Sequence, residues 1–162
     1  MAEVLRRIGV STDVLGEGPL WDVQEKSLYW VDIRKAEIRR FDWSTKNVES
    51  WSMTETVSCL AVRSAGGLVI ATQTGISYWT PGSVATPIVR HGQNSEIRFN
   101  DGRCDRQGRF WSGTMNDSVR TKDGVLYRFD GIHLSAVIRN IAIPNSLCWS
   151  PDSRTMYFSD SV

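Results

Sequence analysis

The sequence contains no long apolar run, and its N-terminal segment lacks the features of a secretion signal. No segment approaches the roughly 20 consecutive apolar residues that cross a bilayer, so no membrane-spanning helix is predicted. The apolar stretch near the N-terminus is short and is interrupted by Glu3, Arg6 and Arg7, which does not fit a signal peptide. We therefore expect a cytoplasmic protein that has no membrane partner.

Cysteine and histidine are scarce, with three and two copies in 162 residues. Cys59, Cys104 and Cys148 are widely separated and form no CxxC pair, so a zinc site built from cysteines is not indicated. The pattern predicts free thiols that are buried as small apolar groups, which fits a reducing compartment. We expect His91 and His133 to lie at the surface or in loops and to take no part in catalysis.

A charge excess is also lacking, because 19 basic and 18 acidic side chains give a net charge of +1. Without a basic cluster, the sequence does not indicate a nucleic-acid partner. It has no GxSxG elbow, no phosphate-binding loop and no HExxH helix. Ser112 and Ser159 fall in predicted strands with no histidine expected nearby, so a serine hydrolase is not indicated either.

What the sequence does contain is a repeat. Each repeat starts with two apolar strands joined by a polar turn, and the second strands open at Leu28, Leu68, Phe110 and Met156, spaced by 40, 42 and 46 residues. Two further strands follow in the first three repeats. Four strands in about 40 to 50 residues are typical of a β-propeller blade. A sandwich or barrel of short strands is the alternative, which the regular period disfavours.

The repeat predicts one all-β domain with three complete blades and the beginning of a fourth. The approximate bounds are 18–53, 57–90 and 100–139, with the fourth blade begun at 145. Residues 116–123 are expected to form a surface loop. Residues 4–10 (VLRRIGV) look like a lone strand that would complete a last blade. We therefore expect that a missing C-terminal half, or a second chain, is needed to close the propeller.

Polar residues recur at the place that precedes the predicted first strand of each blade. Glu17, Asn100 and Asn145 lie 11, 10 and 11 residues before the openings of the second strands, and in the second repeat the same place falls at Val57. Because first strands line the channel of a propeller, one carboxylate and two amide oxygens would meet at one axis. Such oxygen ligands suit calcium, magnesium or manganese, whereas zinc usually recruits histidine or cysteine.

Each of these residues also has a purely structural explanation. Glu17 lies in a glycine- and proline-rich turn, Asn100 opens an Asn-Asp-Gly turn signal, and Asn145 follows a proline. Arg98 could bind substrate hydroxyls or a carboxylate at the channel mouth, or it could form an ion pair at the rim. The similar placement of Glu17, Asn100 and Asn145 in three repeats is consistent with a shared site, and the structural explanation stays open beside it.

Three stretches carry a family resemblance: LGEGPLWD at 15–22, RFNDGRCDRQGRFWSGTM at 98–115 and IPNSLCWSPDSRTMYFSDS at 143–161. With these motifs the chain resembles the senescence marker protein, regucalcin and gluconolactonase family over essentially all of its length. The resemblance implies a six-bladed β-propeller, of which this chain would supply about the first three and a half blades. It also implies one divalent metal ion (Ca, Zn, Mn or Mg) at the channel entrance.

The resemblance further implies roles for four residues of this chain. Glu17 and Asn145 correspond to metal ligands, and Arg98 and Asn100 correspond to the substrate-binding pair. The third metal ligand of the family is an aspartate that also serves as the proposed general base. It is expected beyond residue 162, so no catalytic residue is identified within this chain.

The implied reaction is the metal-dependent hydrolysis of a sugar lactone to an aldonic acid, with little activity expected from these 162 residues alone. No separate role is implied for Asp101. Some animal members of the family carry a substrate-contacting glutamate before the third strand of blade three, and residues 118–123 contain none, so substrate preference is expected to differ. Two alternatives stay open: a non-catalytic calcium-binding or regulatory propeller, and a propeller used as a platform for protein interactions.

Overall fold

The chain consists of β-strands, turns and loops in the part that the computed structural model describes, which is residue 8 and residues 12–162. The strands are β1 Gly16–Asp22, β2 Ser27–Asp32, β3 Glu37–Asp42, β4 Val48–Ser52, β5 Val57–Val62, β6 Leu68–Thr72, β7 Gly75–Trp79, β8 Thr86–Arg90, β9 Ile97–Cys104, β10 Phe110–Asn116, β11 Gly124–Phe129, β12 Leu134–Ile141, β13 Pro144–Trp149 and β14 Met156–Asp160. In these described residues there is no helix long and apolar enough to cross a membrane. The strand predicted at 4–10 lies, apart from Ile8, outside the described residues.

The strands form three four-stranded antiparallel sheets and one two-stranded sheet, with neighbours following chain order. Sheet 1 contains β1–β4, sheet 2 contains β5–β8, sheet 3 contains β9–β12 and sheet 4 contains β13 and β14. The predicted openings at Leu68, Phe110 and Met156 coincide with the observed strand starts, and β2 begins one residue before Leu28. The predicted all-β repeat is thus confirmed as a succession of antiparallel sheets.

The turns between first and second strands have the backbone that their sequences predict. Gly67, Gly108 and Ser153 all have positive φ angles, of 70°, 79° and 60°. Glycine adopts this conformation without steric cost, which is why it recurs in such turns. The loop predicted near 116–123 is also present: residues 117–123 connect β10 to β11 and are mostly exposed, although Asn116 still belongs to β10.

Consecutive sheets pack face to face, and their first strands contact one another: β1 with β5, β5 with β9, and β9 with β13. Apolar clusters fill the three spaces between neighbouring sheets. Representative members are Tyr29, Val31 and Ile70 between sheets 1 and 2, Ala71, Phe99 and Tyr127 between sheets 2 and 3, and Trp111, Leu126 and Leu147 between sheets 3 and 4. This packing holds the first strands side by side inside the molecule.

Each first strand contains a one-residue β-bulge near its beginning. The pairing register shifts between Glu17 and Leu20, Val57 and Cys59, Phe99 and Gly102, and Asn145 and Cys148. A bulge bends its strand and changes the direction of the side chains beside it. The four bulges therefore give the same local geometry to the start of all four first strands.

The three cysteines are free, but only one of them is buried. Cys59 is fully buried, Cys104 is half-buried and Cys148 is exposed, so the prediction of buried thiols was wrong for Cys148. Cys148 follows the buried Leu147, and successive side chains of a strand point to opposite faces. Burial raises the pKa of the Cys104 thiol to about 11, which keeps it protonated at neutral pH.

The buried Asp32 carboxylate at the end of β2 binds the backbone of the segment that leads into β1. The Asp32 side chain is fully buried and accepts hydrogen bonds from the backbone N–H groups of Val14 at 2.9 Å and Leu15 at 3.2 Å. Asp160 of β14 accepts equivalent bonds from Ala142 and Ile143. Although burial opposes ionisation of Asp32, these backbone hydrogen bonds lower the pKa of its carboxyl group below the ordinary value.

The lowered pKa gives a testable pH dependence. Because the folded state favours the ionised carboxylate, the contribution of Asp32 to stability is present above the ordinary aspartate pKa of about 4 and is lost as the pH falls through the lower, folded-state pKa. We expect Asp32→Asn to reduce the free energy of unfolding by about 1 kcal/mol at pH 7. The loss should shrink below pH 4, as measured by urea unfolding at both pH values. Asp123→Asn, in an exposed loop, is the control; equal losses in the two variants would contradict the prediction.

Candidate functional site

Four side chains occupy equivalent places at the bulged ends of the first strands. In each case the preceding residue pairs with the same position of the second strand: Gly16 with Asp32, Val57 with Thr72, Phe99 with Thr114, and Pro144 with Asp160. The equivalent residues are therefore Glu17, Ser58, Asn100 and Asn145. The structure thus places Glu17, Asn100 and Asn145 at the same register position of their strands, whereas their spacings in the sequence agreed only approximately.

Two details differ from the sequence-based expectation. Glu17, Asn100 and Asn145 lie inside the first strands and not before them, because pairing continues on both sides of each bulge. In the second repeat the equivalent residue is Ser58, whereas Val57 is fully buried in the core. The Ser58 hydroxyl is itself buried and has no hydrogen-bond partner among the described residues.

Arg98, Asn100 and Asn145 form one continuous chain of polar contacts across sheets 3 and 4. Arg98 Nη1 donates to Asn100 Oδ1 at 2.9 Å, and Asn100 Nδ2 donates to Asn145 Oδ1 at 3.2 Å. Asn100 Nδ2 also donates to the Pro144 carbonyl at 2.9 Å. Since the Asn100 oxygen is held by a guanidinium, its nitrogen must face Asn145, and this fixes the orientation of both amides.

Glu17 lines a cavity next to these contacts, because Asp101 and Ser146, which directly follow Asn100 and Asn145 in the sequence, line it too. The cavity has a volume of about 670 Å³ and is lined by the four first strands, with Glu17, Asp101 and Ser146 among its residues. Partial loss of hydration and the nearby Asp101 carboxylate raise the pKa of Glu17, while the Arg98 guanidinium opposes the shift. No described residue donates a hydrogen bond to the Glu17 carboxylate, so its charge is not neutralised by a direct contact within that part of the chain.

Asp101, for which the sequence implied no role, connects the two strands that carry Asn100 and Asn145. Its Oδ2 accepts a hydrogen bond from the Ser146 backbone N–H at 2.7 Å, and its Oδ1 accepts one from Gly102 at 2.8 Å. Ser146 has a positive φ of 57°, an unusual conformation for a residue with a side chain. Asp101 therefore stabilises the bulge of β13 beside Asn145.

Two charged residues that sequence reasoning missed lie behind Arg98. Arg98 is only 4% exposed, and its Nε donates to Asp117 Oδ1 at 2.6 Å. Arg34, from the turn between β2 and β3, binds the same carboxylate through Nη1 at 2.6 Å and Nη2 at 3.0 Å. Partial burial opposes ionisation of Asp117, but the two guanidinium groups lower the pKa of its carboxyl group. Arg34 and Asp117 are 83 residues apart, so no local sequence signal could have revealed this contact.

The two histidines lie in a loop and in a turn, where the sequence predicted them. His91 is in the loop between β8 and β9, where Nδ1 accepts from the Gln93 N–H at 3.0 Å and Nε2 donates to the Gln73 carbonyl at 2.7 Å. His133 is exposed in the turn between β11 and β12. The Ser112 hydroxyl contacts Cys59 Sγ and the Asp101 carbonyl, with no described histidine beside it.

The donor atoms present fit a cation that prefers oxygen ligands. The described residues contain no cluster of three or more His, Cys, Asp or Glu side chains suited to a metal ion, so the candidate ligands in this part of the chain are one carboxylate and amide oxygens. The Glu17 carboxylate lacks a direct partner among the described residues, and partial burial together with the Asp101 charge destabilises its ionised form. A nearby cation would relieve this repulsion. Asn145 Oδ1 accepts one hydrogen bond and retains a second lone pair for such an ion.

The fold and the site together define an all-β protein built from repeated antiparallel sheets, with oxygen-bearing side chains of several repeats gathered at one end of the first strands. A model of the SMP-30/Gluconolactonase/LRE-like region matches residues 15–162. The chain therefore belongs to the SMP-30/gluconolactonase/LRE-like family, and the family resemblance deduced from the sequence motifs is confirmed.

Named relatives agree with this assignment. A 6-deoxy-6-sulfogluconolactonase from Pseudomonas putida is 34% identical over 164 residues, covering 99% of this chain and 56% of that protein. Regucalcin from Danio rerio is 35% identical over 155 residues, covering 91% of this chain and 52% of that protein. The crystal structure of a calcium-binding protein, regucalcin, from Agrobacterium tumefaciens matches with a TM-score of 0.88 and 30% identity over 93% of this chain and 52% of its own. The chain thus spans about half the length of the relatives it matches.

Proposed function

We propose that the protein to which this chain belongs hydrolyses sugar lactones to aldonic acids with the help of one divalent metal ion. The observation that carries the proposal is the contact chain from Arg98 through Asn100 to Asn145, which lies beside the cavity that Glu17 lines. The name of the Pseudomonas relative, a sulfogluconolactonase, supports the same class of reaction. Because the chain spans about half of each relative, the activity is proposed for the whole protein.

The proposed architecture is a six-bladed β-propeller in which these 162 residues form one partial domain. Sheets 1 to 3 would be its first three blades, and sheet 4 would begin the fourth. A C-terminal half or a second chain would supply the other blades and close the ring. The similarity to the Agrobacterium regucalcin structure and the side-by-side packing of the first strands support this arrangement.

In this proposal, Glu17 and Asn145 hold the metal ion through a carboxylate and an amide oxygen. Calcium, magnesium, manganese and zinc are the candidate ions, and the oxygen ligands favour the first three. When bound, such an ion polarises the lactone carbonyl and lowers the pKa of a water molecule. The remaining ligand, an aspartate that would also act as general base, is expected outside these 162 residues.

Arg98 and Asn100 are proposed to orient the sugar lactone. Among the described residues no hydrogen bond uses Arg98 Nη2, so this group can donate to a sugar hydroxyl or to the oxyanion that develops at the carbonyl. Asn100 Oδ1 accepts from Arg98 and keeps a second lone pair that can accept a bond from a sugar hydroxyl. Both groups are held in place by their other contacts, which favours a single substrate orientation.

A direct test is lactone opening by the full-length protein after treatment with a chelator. Gluconolactone and xylonolactone are supplied with calcium, magnesium, manganese or zinc, and acid release is followed with a pH indicator. The proposal expects opening above the spontaneous rate only after a metal is restored. Opening at the same rate with and without metal, or none with any of the four ions, would contradict it.

A second candidate function, cation binding without turnover, is favoured by the description of the Agrobacterium structure as a calcium-binding protein. The same samples distinguish the two functions when calcium binding is measured by calorimetry. Binding without turnover supports the second candidate. Absence of both binding and turnover would support the third possibility, a platform for protein interactions.

The role proposed for Asn100 predicts a modest kinetic effect. We expect Asn100→Ala to lower kcat/KM roughly tenfold, because the variant loses a substrate hydrogen bond worth on the order of 1 kcal/mol and releases the Asn145 amide. Asn47→Ala, at an exposed turn of sheet 1, is the matched control. A steady-state rate for Asn100→Ala equal to that of the control would exclude a substrate role for Asn100.

A further inference from the structure

An ion-pair cluster connects sheet 1 to sheet 3 directly behind the candidate site. Arg34 contributes two hydrogen bonds to Asp117, at 2.6 and 3.0 Å, and Arg98 contributes one at 2.6 Å. Arg34 is 45% exposed at its side chain, whereas Arg98 is 4% exposed. The carboxylate therefore faces solvent on the Arg34 side and the interior on the Arg98 side.

Asp117 determines which way the Arg98 guanidinium faces. With Nε bound to Asp117, Nη1 is directed to the Phe99 carbonyl at 2.9 Å and to Asn100 Oδ1 at 2.9 Å. The guanidinium is planar, so two fixed nitrogens fix the third, Nη2, as well. Asp117 is thus the charge partner that holds this buried group in one orientation.

The orientation is transmitted from Arg98 to the amides. Asn100 can present its oxygen to Arg98 only by turning its nitrogen to Asn145 Oδ1, and Asn145 then turns its own nitrogen to Ser161 Oγ at 3.1 Å. Without Asp117, a buried arginine would keep an uncompensated charge. Glu17 and Asp101, two carboxylates that line the neighbouring cavity, would then draw the guanidinium away from Asn100. That movement would release Asn100 Oδ1.

We propose that Asp117, held by Arg34, is a positioning residue that orients Arg98 and, through it, the amide groups of Asn100 and Asn145. The consequence for turnover rests on the proposed lactonase function, whereas the consequence for side-chain orientation does not. Arg34 acts indirectly, because its two hydrogen bonds hold the Asp117 carboxylate at the start of the loop between β10 and β11.

The kinetic test uses the full-length, metal-loaded protein and gluconolactone. We expect Asp117→Asn to raise KM roughly tenfold and to change kcat less than about threefold, since groups that orient ligands typically contribute 10- to 100-fold. Asp117→Glu should recover most of the loss, because it restores the charge. Asp123→Asn removes the same charge from the same loop without touching Arg98 and should match the wild type. A fall in the melting temperature of Asp117→Asn with an unchanged KM would assign Asp117 a purely structural role and overturn the proposal.

A double-mutant cycle tests whether Asp117 acts through Arg98. In an Arg98→Gln background, Asp117→Asn is expected to change KM by less than about twofold, because the group it positions is absent. A further tenfold loss in that background would show that Asp117 acts independently of Arg98, which contradicts the inference. Arg34→Gln should produce a smaller KM increase than Asp117→Asn.

Side-chain NMR of the ¹⁵N-labelled full-length protein supplies a measurement that does not depend on turnover. In the wild type, the Arg98 Nε–H should be protected from solvent exchange. Asp117→Asn should abolish this protection and shift the side-chain amide resonances of Asn100 and Asn145, while Asp123→Asn leaves them in place. Unchanged amide resonances in Asp117→Asn would overturn the positioning role. If the wild type opens no lactone, the proposed function fails, and these resonances still decide the role of Asp117.

Discussion

Glu17→Gln should abolish metal-dependent lactone opening, with a loss of at least roughly 1000-fold in kcat/KM, since a bound metal supplies several kcal/mol of charge stabilisation. The substitution keeps the shape of the side chain and removes its charge. Glu17 lacks a direct partner within the described part of the chain, and partial burial and the Asp101 carboxylate both disfavour its ionised form. A carboxylate held under those conditions gains more from a cation than one that is already paired. Metal affinity measured by calorimetry should fall in parallel with the rate.

The control for this result is Glu96→Gln. Glu96 is exposed in the loop before β9, so its replacement removes the same charge from the neighbourhood of sheet 3 without entering the cavity. Its kinetic constants and metal affinity should match those of the wild type. If Glu17→Gln retains wild-type metal affinity, Glu17 is not a ligand, and the metal would have to be held by other residues of the full-length protein.

Gly113→Ala is expected to lower the free energy of unfolding by about 3 kcal/mol, the upper end of the usual cost of overpacking. A methyl group on Gly113 would lie 2.2 Å from Pro144 Cβ and 2.5 Å from Pro144 Cγ, far inside van der Waals contact. Pro144 precedes Asn145, and its carbonyl accepts a hydrogen bond from Asn100. Displacing Pro144 should therefore weaken metal binding as well as stability. Urea unfolding and calorimetry measure the two effects.

Gly108→Ala separates the general cost of replacing glycine from this specific contact. Gly108 lies in an exposed turn with a φ of 79°, and a methyl group there would meet nothing within 4 Å. Its replacement should cost about 1 kcal/mol through backbone conformation alone and leave metal affinity unchanged. Stability losses of the same size in Gly113→Ala and Gly108→Ala would show that sheets 3 and 4 are not packed as closely as described.

The order of elements could be predicted from the sequence because it depends on local chemistry. Apolar alternation identifies strands, and turn residues such as Gly67 and Gly108 identify the hairpins between them. The recurrence at 40 to 46 residues then predicted a succession of sheets. Two predictions failed: the burial of Cys148, and the choice of Val57 as the position equivalent to Glu17. In both cases a shift of one residue along the strand decides which face is buried. At both positions a one-residue bulge shifts the pairing register, and no residue type predicts a bulge reliably.

Which residues could share a site was also apparent from the repeat. Glu17, Asn100 and Asn145 were singled out from their spacing, and the structure gives them equivalent register positions with Asn100 in contact with Asn145. Their roles as metal and substrate ligands remain predictions. The structural roles of Asp101, Asp117 and Arg34 follow only from contacts between residues that are far apart in the sequence, such as Arg34 and Asp117, which are 83 residues apart.

The sequence by itself determined that this protein is a chain of antiparallel sheets of one recognisable family, because strand alternation, turns and family motifs are properties of short segments. Only the tertiary structure decided how Arg98 is buried and oriented, and that Asn100 Nδ2 meets Asn145 Oδ1. The physical reason is that a charge inside a protein requires a partner, and here the partner comes from a distant loop whose position depends on the packing of whole sheets.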